Sequence, residues 1–182
     1  MKQVIIGSMK KALLILTISI FIIAIFSSCS DFNKKGKPLF KDILELHEAS
    51  LTKCKTIELV WSNAIYDKKY ALSTSEKLEE YYVSDFNVAI YRMENEPTIN
   101  ILNTKIDSLS SKVVEHIELI SDKKNVSYDK LLSLYTNVIE LSKNARSPNG
   151  SLQSFSDDVN EKENQINMLI TEIEARNPEF KD

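Results

Sequence analysis

Four residues of this 182-residue chain are suited to metal, thiolate or imidazole chemistry: His47, His116, Cys29 and Cys54. His47 and Cys54 stand seven positions apart on what reads as a single helix. That spacing puts them about 10 Å apart along the axis, whereas ligand bonds to one ion are about 2.0–2.3 Å. His47 lies nine residues past Pro38, and His116 nineteen past Pro97. In an up-and-down order their heights then differ by roughly 15 Å. The E-x-x-H pair of di-iron bundles and the C-x-x-C-H run of attached haem are both missing. Both histidines read more simply as polar seam residues that fix helix register. No metal site and no cofactor is expected.

Nucleophilic and acid-base chemistry fare no better. No serine sits in a G-x-S-x-G elbow. The carboxylate pairs Glu79-Glu80 and Asp157-Asp158 fall on polar faces, where such pairs are ordinarily solvated. Beyond residue 28 the glycines are Gly36 and Gly150 alone, which excludes a glycine-rich phosphate loop. Lys162 falls on an inward seam. It reads either as a buried cation that holds a ligand or acidic partner, or, more simply, as a stem lying on apolar surface with its amine in water. The chain is not expected to be an enzyme.

The aromatic residues are unevenly placed. Trp61, Tyr66, Tyr70, Tyr81, Tyr82, Phe86 and Tyr91 crowd one corner of the sequence. Tyrosine and tryptophan suit surfaces that are dry on one side and wet on the other, including binding hot spots. Trp61, Tyr66, Tyr70, Tyr81 and Tyr91 are therefore the candidate partner-binding residues. The plainer reading is that Tyr81 or Tyr82 closes the end of a core with its hydroxyl in water.

The elements that position these residues read as helices. From Leu39 to about Tyr66, Phe40, Leu44, His47, Leu51, Cys54, Ile57, Trp61 and Ala64 recur at steps of three and four. Ser73 and Glu76 form a capping box for a second helix, with Leu78, Tyr82, Phe86, Ala89 and Met93 inward. Asn95-Glu96-Pro97 breaks the pattern as a turn or sharp kink. Ile99, Leu102, Ile106, Leu109, Val113, His116 and Ile120 then make a strict seam. Ser127 is expected to cap a helix with Leu131, Leu134, Tyr135, Val138, Leu141 and Ala145 inward. After the turn Ser147-Pro148-Asn149-Gly150, a last helix runs from Ser151 to about Arg176. Its seam is Leu152, Phe155, Val159, Lys162, Ile166, Leu169 and Ile173. No stretch alternates with period two, so no sheet is expected. The fold class is all-α, an up-and-down antiparallel helical bundle of four or five helices.

The N-terminus carries an address. Lys2, Lys10 and Lys11 precede an apolar run from Ala12 to Phe26, and Ser27, Ser28 and Cys29 follow. A basic start, a short apolar core and small residues are the parts of an export signal, and the run is shorter than the ~20 residues of a membrane span. Met9 reads as a more ordinary signal start than Met1. Phe26-Ser27-Ser28-Cys29 resembles the lipobox of bacterial lipoproteins, with Phe26 where leucine is commonest. The resemblance implies cleavage before Cys29 and acylation of its thiol, as by palmitate. The expected organisation is a signal peptide over 1–28, a flexible lipidated tether over 29–38 and a helical bundle domain over 39–177. The expected location is the cell envelope, anchored by lipid to the cell membrane or the outer membrane.

The whole chain carries a formal charge of −3, and loss of residues 1–28 with their three lysines leaves the remainder more acidic. That balance favours neither nucleic acid nor charge-driven binding to anionic lipid. With Cys29 acylated, Cys54 has no partner for a disulfide within the chain and is expected to be buried. The leading expectation is a non-enzymatic protein-interaction module bound to the membrane through lipid, with an envelope protein as partner. The alternative is a small-ligand carrier for lipid, haem or metal, with a cavity near His47, Cys54 and His116.

Overall fold

The computed structural model describes the backbone of residues 2–70, 81–83, 85–121 and 123–181, with side chains from Phe32 onward except those of residues 69, 81 and 82. The protein is an all-α bundle. Its helices are α1 (Lys2–Ser62), α2 (Phe86–Glu94), α3 (Pro97–Leu119), α4 (Val126–Arg146) and α5 (Leu152–Arg176). A π-helical turn, Asn63–Asp67, ends α1, and a 3-10 turn, Pro178–Phe180, follows α5.

Helix α1 is the axis of the bundle, packed against α3, α4, α2 and α5. Cross-links between helices fix the directions. Asp42 of α1 meets Lys112 and His116 of α3, while Lys53 further along α1 meets Asn103, so α3 runs antiparallel to α1. Trp61 lies on Phe86 and Lys53 pairs with Glu94, so α2 descends beside α1 in the same sense as α3. The break at Pro97 thus interrupts one descending limb. Its proline occupies the first helical turn, where the missing N–H costs no bond. Helix α4 ascends, with Ser142 against Ser50, and α5 descends, with Phe155 against Trp61 and Asn177 against Ser127.

Local chemistry sets the helix starts. Asp85 accepts from the Val88 N–H at 3.1 Å and caps α2. The second helix therefore begins at Phe86. Tyr82, expected inside it, belongs instead to a two-residue strand, Tyr81–Tyr82, paired antiparallel with Lys69–Tyr70. This minimal ladder, not expected from the sequence, is too short to alternate. The Ser73–Glu76 box lies outside the described residues. Asn125, rather than Ser127, caps α4 by accepting from the Ser127 N–H at 2.8 Å. Ser151 and Ser154 cap α5 reciprocally, after Gly150 at a φ of 84° turns the chain.

Two corrections concern α1. Residues 32–38, expected as part of a flexible tether, are helical straight through Pro38. Phe32, Leu39 and Phe40 are buried on either side of that proline, and Phe180 packs on both Phe32 and Phe40. This packing outweighs the hydrogen bond that proline removes. The inward face also differs. Leu39, Ile43, Leu46, Ser50, Lys53, Ile57, Val60 and Ala64 are buried, while Leu44, His47 and Leu51 are only half-buried. A helix with neighbours on several sides buries more than one stripe, so a single seam cannot describe it.

Among the described residues no helix is long and apolar enough to cross a membrane. The side chains of the apolar run at 12–26, and of Cys29, lie outside them.

Candidate interaction surface and its buried polar support

The far end of α1, the π-turn, the short ladder and the start of α2 form the corner where the aromatic residues were expected to gather. The structure divides them. Trp61 is 5% exposed, stacked on Phe86 with ring centroids 3.7 Å apart and tilted against Phe155. It is core, and its part in a binding surface is corrected. Its position at the level where α1, α2 and α5 converge calls for the largest available ring. Tyr70 is also 5% exposed, and its hydroxyl donates to Glu96 Oε1 at 3.3 Å. Burial, and the Glu96 charge beside it, push that hydroxyl above its ordinary pKa. Tyr66 and Tyr91 are 74% and 73% exposed. The Tyr81 side chain lies outside the described residues.

Tyr70 and Tyr91 nevertheless share one feature. With Arg92, Asn95 and Glu96 they line a shallow cavity of about 340 Å³ at the α2–α3 break. Asn95 donates to the Tyr91 carbonyl at 2.6 Å, which holds the end of α2 in shape. The cavity thus joins an aromatic rim to a cation, an amide and a carboxylate. Such a mixture suits recognition of a peptide or side chain by stacking and hydrogen bonds.

Adjoining it in sequence at Glu94, next to the cavity residues Asn95 and Glu96, is a polar network that the sequence reading missed. Lys53, 1% exposed, donates to Asn103 Oδ1 at 2.6 Å and pairs with Glu94 Oε1 at 2.8 Å. Asn103 donates in turn to Glu94 Oε2 at 3.0 Å. One buried cation therefore ties α1, α2 and α3 together beside the Pro97 break. A signal for it existed. Leu39, Ile43, Leu46, Ser50, Lys53, Ile57, Val60 and Ala64 follow one another by steps of four and three, with Lys53 in line.

Toward the other end, Asp42 is 3% exposed and accepts from Lys112 Nζ at 2.7 Å. His116 Nδ1 stands 2.6 Å from Asp42 Oδ2. His116 is therefore a seam residue turned to a carboxylate. His47 is half-buried, and its Nε2 has no hydrogen-bond partner among the described residues. Burial holds its pKa below the ordinary value, against the opposing charges of Glu163 and Glu48. Cys54 is fully buried, with Sγ donating to the Leu141 carbonyl at 3.7 Å. Burial pushes its thiol up to about 12. His47, Cys54 and His116 line neither the α2–α3 cavity nor the outer grooves between α1 and α3 and between α4 and α5. Among the described residues no three His, Cys, Asp or Glu side chains converge as metal ligands would.

Lys162 takes the plainer of its two readings in part. Its stem is largely covered, and its amine pairs with Glu140 of α4. That hydrogen bond holds the lysine above and the carboxylate below their ordinary ranges. No family model, no curated protein and no solved structure matches the chain.

Proposed function

We propose that this protein is a non-enzymatic helical interaction module, exported and anchored by acyl chains on Cys29, that binds an envelope protein through its membrane-distal corner. The observation that carries the reading is Tyr91, 73% exposed on the rim of the cavity that buried Tyr70 lines from within. An aromatic ring with little side-chain entropy to lose, beside Arg92 and Glu96, is the composition of a binding hot spot. The corner is remote from the end at which Cys29 enters, since α1 rises from one to the other. A partner would therefore meet it away from the bilayer.

The test is site-specific photocrosslinking in the native envelope, with benzoylphenylalanine at Tyr66 or Tyr91 and at Asn167 as a control on the α5 flank. A discrete adduct from the corner positions and none from the flank supports the surface. Equal labelling everywhere, or none at the corner, refutes it. Palmitate incorporation that disappears in Cys29→Ala tests the anchor independently.

A further inference from the structure

We infer that α3 is a pairing surface for a second copy of this chain, in an antiparallel, two-fold arrangement about Ser110. The inference goes beyond the proposed corner and anchor and uses neither. Helix α3 is an edge of the bundle: it packs chiefly on α1, with α2 at its start. Ile101, Lys105, Ser108, Lys112, Glu115 and Leu119 follow one another along it at steps of four and three, and all six are exposed. They form one outward stripe with an aliphatic residue at each end. Ile101 is 70% exposed and Leu119 is 60% exposed.

The order of the stripe names its cover. Ile101 and Leu119 are equidistant from Ser110, as are Lys105 and Glu115, and Ser108 and Lys112. A second α3 laid in reverse on the first therefore sets Ile101 on Leu119, Lys105 on Glu115 and Ser108 on Lys112, each twice. That reciprocity is what a two-fold interface requires. A parallel pairing would instead set lysine on lysine and glutamate on glutamate. Neither Lys105 nor Glu115 makes an ion pair among the described residues. The neighbouring charges agree with this direction. Lys112 is neutralised by Asp42, and Asp107 turns to Arg146 of α4. Lys55 turns to Glu58 and Glu163. Glu118 stands about 100° round the helix from the stripe. Lys41, Glu45 and Glu48 follow Thr52 and Thr56 back down α1 at helical spacing and add a net single negative charge beside the Glu115 end. The face is thus basic toward Lys105 and acidic toward Glu115, and reversal matches the two ends. Exposed pairs of this kind set register more than affinity. The aliphatic ends add contact. Beside Ile101 lies a groove of about 350 Å³ lined in part by Thr52, Thr56, Ile99 and Leu102, at the level where the second copy's Leu119 arrives. Antiparallel pairing sends the two Cys29 ends opposite ways. Two copies anchored in one bilayer therefore pair by lying along it, and the unpaired protein is the form that presents its corner away from the membrane.

The test is disulfide trapping of the full chain in the envelope of the expressing cell, read on non-reducing gels against the parent. Ile101→Cys/Leu119→Cys should give a covalent dimer. Ile101→Cys alone and Leu119→Cys alone should stay at the parent's level, because like positions stand about 27 Å apart in this register. The same distance forbids a bond within one copy. Adding Lys105→Glu to the double-cysteine variant should lower the dimer yield by about threefold or more. Adding Glu115→Lys to that variant should restore the yield, because the two charges are then exchanged between positions. All four positions are exposed, and restoration by the second reversal excludes misfolding as the cause of the loss. The pairing is overturned by any of three results: no dimer from the double-cysteine variant, equal dimer from the single ones, or a yield that Lys105→Glu leaves unchanged or Glu115→Lys leaves unrestored. The dimer is scored whether or not Cys29 is acylated, so failure of the pairing and failure of the anchor are distinguished.

Discussion

Lys53 Nζ lies 2.8 Å from Glu94 Oε1 although the lysine is 1% exposed, and this pair spans the break that divides the descending limb of the bundle. A charge so deep persists only with its partners in place, because desolvation costs it several kcal/mol. Asn103 completes the set by accepting from Lys53 and donating to Glu94. The network therefore holds α2 and α3 to α1 at the point where Pro97 removes helical continuity.

Removing one member should be worse than removing all. Glu94→Ala leaves Lys53 buried without its counter-charge and is expected to lower stability by about 2–4 kcal/mol. Lys53→Met/Glu94→Leu/Asn103→Leu should recover most of that loss, since no polar group is then stranded. Urea unfolding of the three proteins decides the matter.

The aromatic corner should separate into fold and surface. Trp61→Ala opens a cavity between Phe86 and Phe155 and should cost about 3–5 kcal/mol. Tyr66→Ala and Tyr91→Ala, both at exposed positions, should stay within about 0.5 kcal/mol of the parent. A large loss of stability from Tyr91→Ala would make that residue structural and weaken the proposed surface.

Gly36 and Phe180 should be coupled. A Cβ on Gly36 would come within 2.8 Å of Phe180 Cζ, so the ring covers the glycine closely. In the parent, Gly36→Ala is expected to destabilise, or at best to forfeit its helical advantage. In a Phe180→Ala background the same change should recover part of the ordinary gain of alanine over glycine within a helix, about 1 kcal/mol, since Phe32 Cε1 would still stand 3.3 Å from the new methyl. A double-mutant cycle on thermal midpoints measures the difference.

His47 should make the fold acid-sensitive. Its folded pKa is lowered from 6.5 by burial, so below that value the unfolded chain takes up a proton that the folded protein refuses. Stability then falls as pH drops from 6.5 toward the lowered folded value, with a slope of at most about 1.4 kcal/mol per pH unit. His47→Gln should flatten that part of the profile. The comparison is the urea midpoint between pH 7.5 and pH 5.5, read as the difference between parent and variant.

Periodicity by itself determined the helical class, the seams of α3, α4 and α5 and the turn at Gly150. Those helices each bury chiefly one face, and a one-sided helix writes its burial as steps of three and four. Tertiary structure decided what α1 does. As the axis of the bundle it buries residues on several sides, so the stripe through Leu44, His47 and Leu51 reported one flank while Leu39, Ile43, Leu46 and Lys53 carried the centre. Pro38 lies within a helix because Phe180, some 140 positions away in sequence, packs on Phe32 and Phe40 to either side of it. Which tyrosines face water was likewise set by neighbours: Tyr70 is covered where its hydroxyl meets Glu96, while Tyr66 and Tyr91 are left exposed by the described residues around them. Side-chain type proposes an aromatic corner, but only contacts distant in sequence decide which of its rings are buried and which remain exposed.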